Sequence, residues 1–335
     1  MFHKGLGYQN YKQTRMIMSM IFVLFTIHLP FQALLTLESW RTEKEYFSEF
    51  HNQPFEVFTY QIHQIFSAGL LPFLVAVAII LLAGLLIGTE RNTRRNDFTF
   101  SLPFRRREIY LSKTIYGASC ISFFHTFHFM LAYFIVKQSE FSYVLERVTL
   151  TEIFWGPLIG FLLLFTFSMF IGTIAGEMIS QVFLTFIFAV FPTGFWILLQ
   201  GLIDVNFSTY VNIPIFIDQL TIFSYLFWHN PSTQSVIFGL VGIALAIFLG
   251  VILYERNRVE HNGEFLIFKQ LHPIFLTGMI ICFSLLGGVI MASLAPWNAE
   301  TLRIISYWIG FFTFMIFADY ISQKILRMNV IVKNK

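Results

Sequence analysis

The side chains with most chemistry in this sequence are His28, His125 and His128, the carboxylates Glu90, Glu108, Glu177 and Asp319, and the basic run Arg105 to Arg107 followed by Lys113. His125 and His128 are one helical turn apart, so their rings share a face, and with His28 they offer three imidazoles to a metal ion or a haem. An ionisable group inside an apolar segment is a functional candidate by default. However, no Asp or Glu falls deep in any apolar segment to serve as ligand, orienter or base. Beside Thr126, such histidines also serve to hydrogen-bond a neighbouring helix. Glu177 and Asp319 stand at the ends of apolar runs, where hydration, a cap or the nearby Lys324 satisfies them. Neither is placed to relay protons across a membrane. No G-x-x-x-x-G-K-[ST] cradle for phosphate occurs, since Lys113-Thr114 has no glycine loop before it, and any ATP chemistry must come from a separate subunit.

The segment from Thr89 to Lys113 reads TERNTRRNDFTFSLPFRRREIYLSK and mixes charge with apolar bulk. Ser101 offers a helix cap, Pro103 fits a first turn, and Arg105 to Lys113 continue as a helix into the next apolar run. A topological anchor explains the arginines, whereas Phe98, Phe100, Leu102 and Phe104 in a wet segment suit docking to another protein.

The elements that carry these residues are membrane helices. Charged residues make up 12% of the chain, against roughly 25% in soluble domains, hydrophobic residues make up 56%, and the mean hydropathy is +0.68. A water-soluble core would bury only a fraction of the 43 Phe side chains without leaving large exposed patches. Eight windows of spanning length stand between charge clusters: roughly Met16 to Leu37, Phe66 to Gly88, Thr114 to Val136, Phe154 to Ala175, Gln181 to Ile203, Gln234 to Tyr254, Ile274 to Leu294 and Ile304 to Ile325. The first has no small-residue cleavage site and reads as a retained helix. The chain is one transmembrane domain over residues 1–335, all-α and polytopic, with no soluble domain between the spans.

Eight spans put both termini on one side. That side holds 17 of the 22 Lys and Arg and the opposite side five, so the termini are expected to be cytoplasmic, with the acidic loop around Glu38, Glu43, Glu45, Glu49 and Glu56 outside. Residues 205–230 are interrupted by Pro214 and Asp218 and read as an outer interfacial or re-entrant segment. Gly84 with Gly88, Gly156 with Gly160, Gly172 with Gly176, and Gly242, Ala246 and Gly250 have helix-packing spacing. Pro30, Pro72, Pro157 and Pro192 kink or start spans, and Pro273 suits the start of the seventh. Cys120 and Cys282 suggest no disulfide, and the modest net charge of +3 suggests no nucleic acid.

In Glu90 and LPFRRREIYLSK the sequence resembles the permease subunits of ABC-2 type transporters, where an acidic residue ends the second helix and an LP-x-x-R segment precedes the third. The resemblance implies that Glu90, Leu102, Pro103, Arg106, Glu108 and Lys113 lie in a coupling loop, residues 89–113, that meets an ATPase. Phe104 would fill a groove of that ATPase, and Glu177 would offer a second contact. It covers the first six spans, the N-terminal arm of residues 1–15, which looks like the family's amphipathic helix entering the first span, and the outer segment. The last two spans go beyond the common six-helix core. In length and loop style the chain is similar to Ytr-type permeases, from an operon tied to acetoin utilisation. The resemblance further implies an ABC ATPase partner holding ATP and Mg, a second permease subunit, identical or related, and a cell-membrane location among lipid. Spans lined by Phe, Leu and Ile lean toward an amphipathic or lipid-like cargo. A secondary carrier or channel, or an intramembrane metal or haem enzyme using His125 and His128, remains the alternative.

Overall fold

A computed structural model describes residues 4–50, 55–67, 69–92, 101, 103–227, 233–257 and 263–327. Among these residues the regular elements are helical, and eight helical stretches are long and apolar enough to cross a membrane. They follow the eight apolar windows in order. The protein is an all-α, multi-pass membrane protein.

The chain opens with α1 (Lys4–Thr26), which carries the N-terminal arm into the first span without a break. Leu6, Asn10 and Thr14 are buried while Lys4, Tyr8 and Lys12 stay outside, the amphipathic arrangement expected of the arm. The Gln13 side-chain amide donates to the Leu85 carbonyl, and Thr14 lies 3.2 Å from the Tyr116 hydroxyl. Pro30 has no N–H to donate, and the helix accommodates it as a π-helical turn, Ile27–Phe31, before resuming as α2 (Gln32–Phe50). The acidic residues Glu38, Glu43, Glu45 and Glu49 therefore lie on a helix that outruns the membrane, not in a loop. Trp40 explains this: it is buried against Phe141 with ring centroids 5.5 Å apart, while Lys44 and Arg41 pair with Glu140 at 2.5 and 3.4 Å.

After the amphipathic α3 (Thr59–Phe66), α4 (Leu70–Asn92) returns through the bilayer. Next, α5 (Arg106–Lys137) is about 48 Å long at 1.5 Å per residue, against about 30 Å of hydrocarbon, so its basic first turns project from the membrane. The centre is α6 (Gly156–Ile174), which follows a second π-helical turn, Thr151–Trp155, and carries Pro157 in its first turn. It is apolar all round and mostly buried, enclosed by α4, α5, α7 (Met178–Phe207) and α10 (Thr233–Glu255).

Between α7 and α10 lie α8 (Ile215–Leu220) and α9 (Ser224–Phe227). Pro192 interrupts the hydrogen-bond ladder of α7, and the returning chain attaches at that point. The Phe223 N–H donates to the Ala189 carbonyl at 3.2 Å, and the Thr221 hydroxyl accepts from the Thr193 N–H at 3.1 Å. Ala189 and Thr193 would bond each other in an uninterrupted helix. Tyr225 and Leu226 of this returning segment are buried against α6 at Gly160.

The chain ends in a hairpin of α11 (His272–Ser293) and α12 (Glu300–Arg327), which packs on itself and on α7. At the outer end Arg303 pairs with Asp204 at 3.4 Å and the Trp308 indole donates to Asn206. The small residues serve packing within the chain: Gly242 faces Leu163, Gly250 faces Tyr110, and a Cβ on Gly88 would stand 2.6 Å from Met178 Cα, so α4 and α7 approach backbone to backbone there. Both cysteines are free.

Candidate functional site

At the end of the bundle that the charge count assigns to the cytoplasm, the last turn of α4, the first turns of α5, the α6–α7 turn and the end of α10 meet in a buried polar cluster. Glu90 and Arg91 close α4. Lys113 projects from α5, and its ammonium lies 2.6 Å from a Glu90 oxygen and 2.7 Å from the Leu86 carbonyl, to which it donates. Each side chain of this ion pair is 3% exposed, which removes both charges from direct contact with any partner. A pair this deep contributes little net stability against its desolvation, but it fixes geometry, because losing either member strands the other charge.

Arg91 was only counted as a positive charge in the sequence, yet it is 3% exposed and its guanidinium donates to the Ala175 carbonyl. This ties the end of the second span to the turn between the fourth and fifth. Tyr110 and Tyr254, with ring centroids 5.4 Å apart, wall the cluster from α5 and α10. The signal for Tyr110 was its spacing of three from Lys113, which puts both on one helical face. Arg106 donates to the carbonyls of Asn257 and Glu255, at 2.6 and 3.3 Å, joining α5 to the end of α10.

The start of α5 differs from expectation. Arg105, not Ser101, occupies the cap position, and Pro103 precedes the helix rather than entering its first turn. The reason is Glu108, whose carboxylate three residues in reaches back to accept the Arg105 N–H at 3.0 Å and so fixes the helix start at Arg105. Pro103 and Glu108 are exposed and Phe104 is half-buried against the main apolar core, while Leu102 lies outside the described residues, as do Phe98 and Phe100. The candidate residues thus divide: Pro103, Phe104, Arg106 and Glu108 lie at the surface or its edge, and Glu90 and Lys113 lie beneath it.

Glu177 sits in the short α6–α7 turn at the cap position of α7 but makes no capping hydrogen bond, and only 6% of it is exposed. Solvated capping is therefore not its role, and burial pushes its carboxyl pKa above the usual range. The turn is held from the other side by the chain that follows α10. Ile267 N–H donates to Ile174 at 2.9 Å and Gly263 N–H to Gly176 at 3.1 Å, forming an antiparallel bridge between Ala175 and Leu266. A side chain on Gly176 would put its Cβ 2.0 Å from the Glu264 carbonyl oxygen, so glycine is required for this approach.

The histidines take another course. His128 lies 2.7 Å from the Phe124 carbonyl through Nδ1 and 3.0 Å from the Thr26 hydroxyl through Nε2. A carbonyl only accepts, so Nδ1 carries a proton, and the contact of Nε2 with the Thr26 hydroxyl links the third span to the first. The bonding partner is thus Thr26 across the interface rather than the adjacent Thr126. His125 is packed among Phe25, Phe129, Phe154 and Phe161. Among the described residues no three His, Cys, Asp or Glu side chains gather as a group able to hold a metal. Asp319 accepts from Gln323 at 3.0 Å rather than pairing with Lys324.

The chain is similar to the probable ABC transporter permease YtrC of Bacillus subtilis (strain 168), with 22% identity over 308 residues, covering 86% of this chain and 88% of that protein. No family model matches the chain. No solved structure matches it.

Proposed function

We propose that this chain is the membrane-spanning permease subunit of an ABC-2 type transporter, moving its cargo across the cell membrane with energy from a separate ATPase subunit. The observation that carries the reading is the likeness to a probable ABC transporter permease over 86% of this chain and 88% of that protein. The buried Glu90–Lys113 pair adds a physical reason. It fixes the two ends of the 89–113 segment to each other, so a force on the exposed part between them reaches two transmembrane helices together.

In this reading Pro103, Phe104, Arg106 and Glu108, with Leu102, form the edge that meets the ATPase, and Glu177 lies in the second contact. Glu90 and Lys113 are positioning residues beneath it. ATP and Mg belong to the partner, a second permease subunit completes the pathway, and the likeness to YtrC supports a Ytr-type permease, while the acetoin-linked role rests on the resemblance in length and loop style alone. The test is co-purification of an ABC ATPase with this chain from its own cells. The native chain is expected to retain it. Phe104→Asp, which sets a charge against an apolar groove, should lose it while the membrane-fraction blot stays unchanged. Normal ATPase recovery and normal transport in Phe104→Asp and Glu90→Ala would reduce the segment to a topological anchor.

A further inference from the structure

The end of α10 and the connection from it to the terminal hairpin contact both the start of α5 and the α6–α7 turn. Glu255 and Asn257, at the end of α10, accept the Arg106 guanidinium from the first turn of α5. Gly263 to Ile267, past residues 258–262, pair with Ile174 to Gly176 through three backbone hydrogen bonds, namely Ile267 to Ile174, Gly263 to Gly176, and Gly176 to Phe265 at 3.5 Å. Leu266 and Ile267 are buried, and Leu266 joins Ile171, Ile174, Ala175 and Leu184 in one apolar cluster that also receives Phe275, Leu276 and Met279 of α11. The same stretch of chain thus holds the start of the third span and the fourth-to-fifth turn, while its far end is rooted in the membrane by the hairpin.

We propose that residues 255–257 and 263–267 form a fixed brace that joins the start of α5 and the α6–α7 turn into one rigid platform, so that the edge around Phe104 and the turn present a single surface to the ATPase and move as one body. The proposal rests on the permease reading. Its residues, Leu266 and Gly176 foremost, act by position and touch no cargo. Backbone pairing with buried apolar side chains on both sides resists shear in a way that exposed charge contacts do not. The pair Glu264 and Lys269, 4.0 Å apart and partly exposed, adds little.

The experiment uses the full chain with its co-purified ATPase in lipid nanodiscs, in a Cys120→Ser, Cys282→Ser background. Nitroxides at Arg107→Cys and Ile179→Cys, both exposed, read the distance between α5 and the turn without nucleotide and with ATP and vanadate. An unaltered brace predicts one distance distribution in both states. Gly176→Val drives a side chain into the Glu264 carbonyl. It should make the distribution nucleotide-dependent and lower ATP hydrolysis roughly tenfold while the ATPase stays bound. Ala175→Cys with Leu266→Cys, opposite each other in the bridge, should form a disulfide that leaves hydrolysis unchanged. Should Gly176→Val fail to fold, the disulfide arm and the milder Leu266→Ala decide. A distance that shifts with nucleotide in the unaltered brace, hydrolysis stopped by the disulfide and restored by reductant, or loosened variants with native behaviour would each overturn the brace. Failure of any ATPase to co-purify with the native chain would instead overturn the permease reading, and the brace with it.

Discussion

A carboxylate and an ammonium 2.6 Å apart and sealed from solvent make Glu90 and Lys113 sensitive to single changes and tolerant of paired ones. Glu90→Gln or Lys113→Met alone should cost about 3–5 kcal/mol, because an unmatched charge is left buried, whereas the two together should cost much less than the sum. Thermal unfolding of the four proteins in one detergent checks the cycle, and additive losses would show that the pair is not coupled. Glu177 is a second test. Its folded-state pKa is raised by burial, so the folded protein holds its proton longer than the unfolded chain, and the resulting penalty sets in as pH rises through the ordinary carboxylate range. Glu177→Gln should therefore raise the melting temperature near pH 7 and change it little near pH 4, and an equal gain at both would refute the burial argument. Both carboxylates stood out in the sequence, and so did Lys113. Their surroundings did not: Lys113 read as a surface anchor and Arg91 as one of many positive charges, because hydropathy marks where a span ends but not which polar group turns inward.

The spans themselves were legible because lipid demands long apolar runs, and Pro30, Pro157 and Pro273 marked bends or starts for reasons contained in the residue. The outer helix α2 was not, since its acidic surface reads as a loop until Trp40 finds Phe141 on another element. Pro192 lies between these cases. A break in α7 could be foreseen, whereas its repair by Thr221 and Phe223 depends on a chain return some thirty residues later. Thr221→Val keeps the shape and removes the acceptor for the Thr193 N–H, at a cost of about 1–3 kcal/mol. The thermal midpoint should fall while membrane insertion stays normal. Thr221→Ser, which restores the hydroxyl, should recover most of the loss. A valine variant as stable as the native protein would mean that the return is held by apolar packing alone.

For the molecule as a whole, the 17 to five division of basic residues predicts the orientation, and the test needs only two exposed positions. A cysteine at Ser48 on α2 should react with a membrane-impermeant reagent in intact cells, and one at Gln270 should react only after lysis. The reverse would invert the topology. The division of the core has a further consequence, for the order of synthesis. The main apolar cluster, from Ile17 to Tyr254, uses no residue of the terminal hairpin, whose own contacts reach back to α7, the α6–α7 turn and the segment leading into the hairpin. A chain emerging from the ribosome can therefore complete its principal core before α11 is made, and the hairpin arrives at a finished surface. Cut at residue 258 and supplied as two polypeptides, the protein should still reassemble. The first piece should insert and resist protease on its own, and the second should dock against α7 when co-expressed. Degradation of the first piece in the absence of the second would show instead that the last pair of helices is needed to keep the nascent bundle closed.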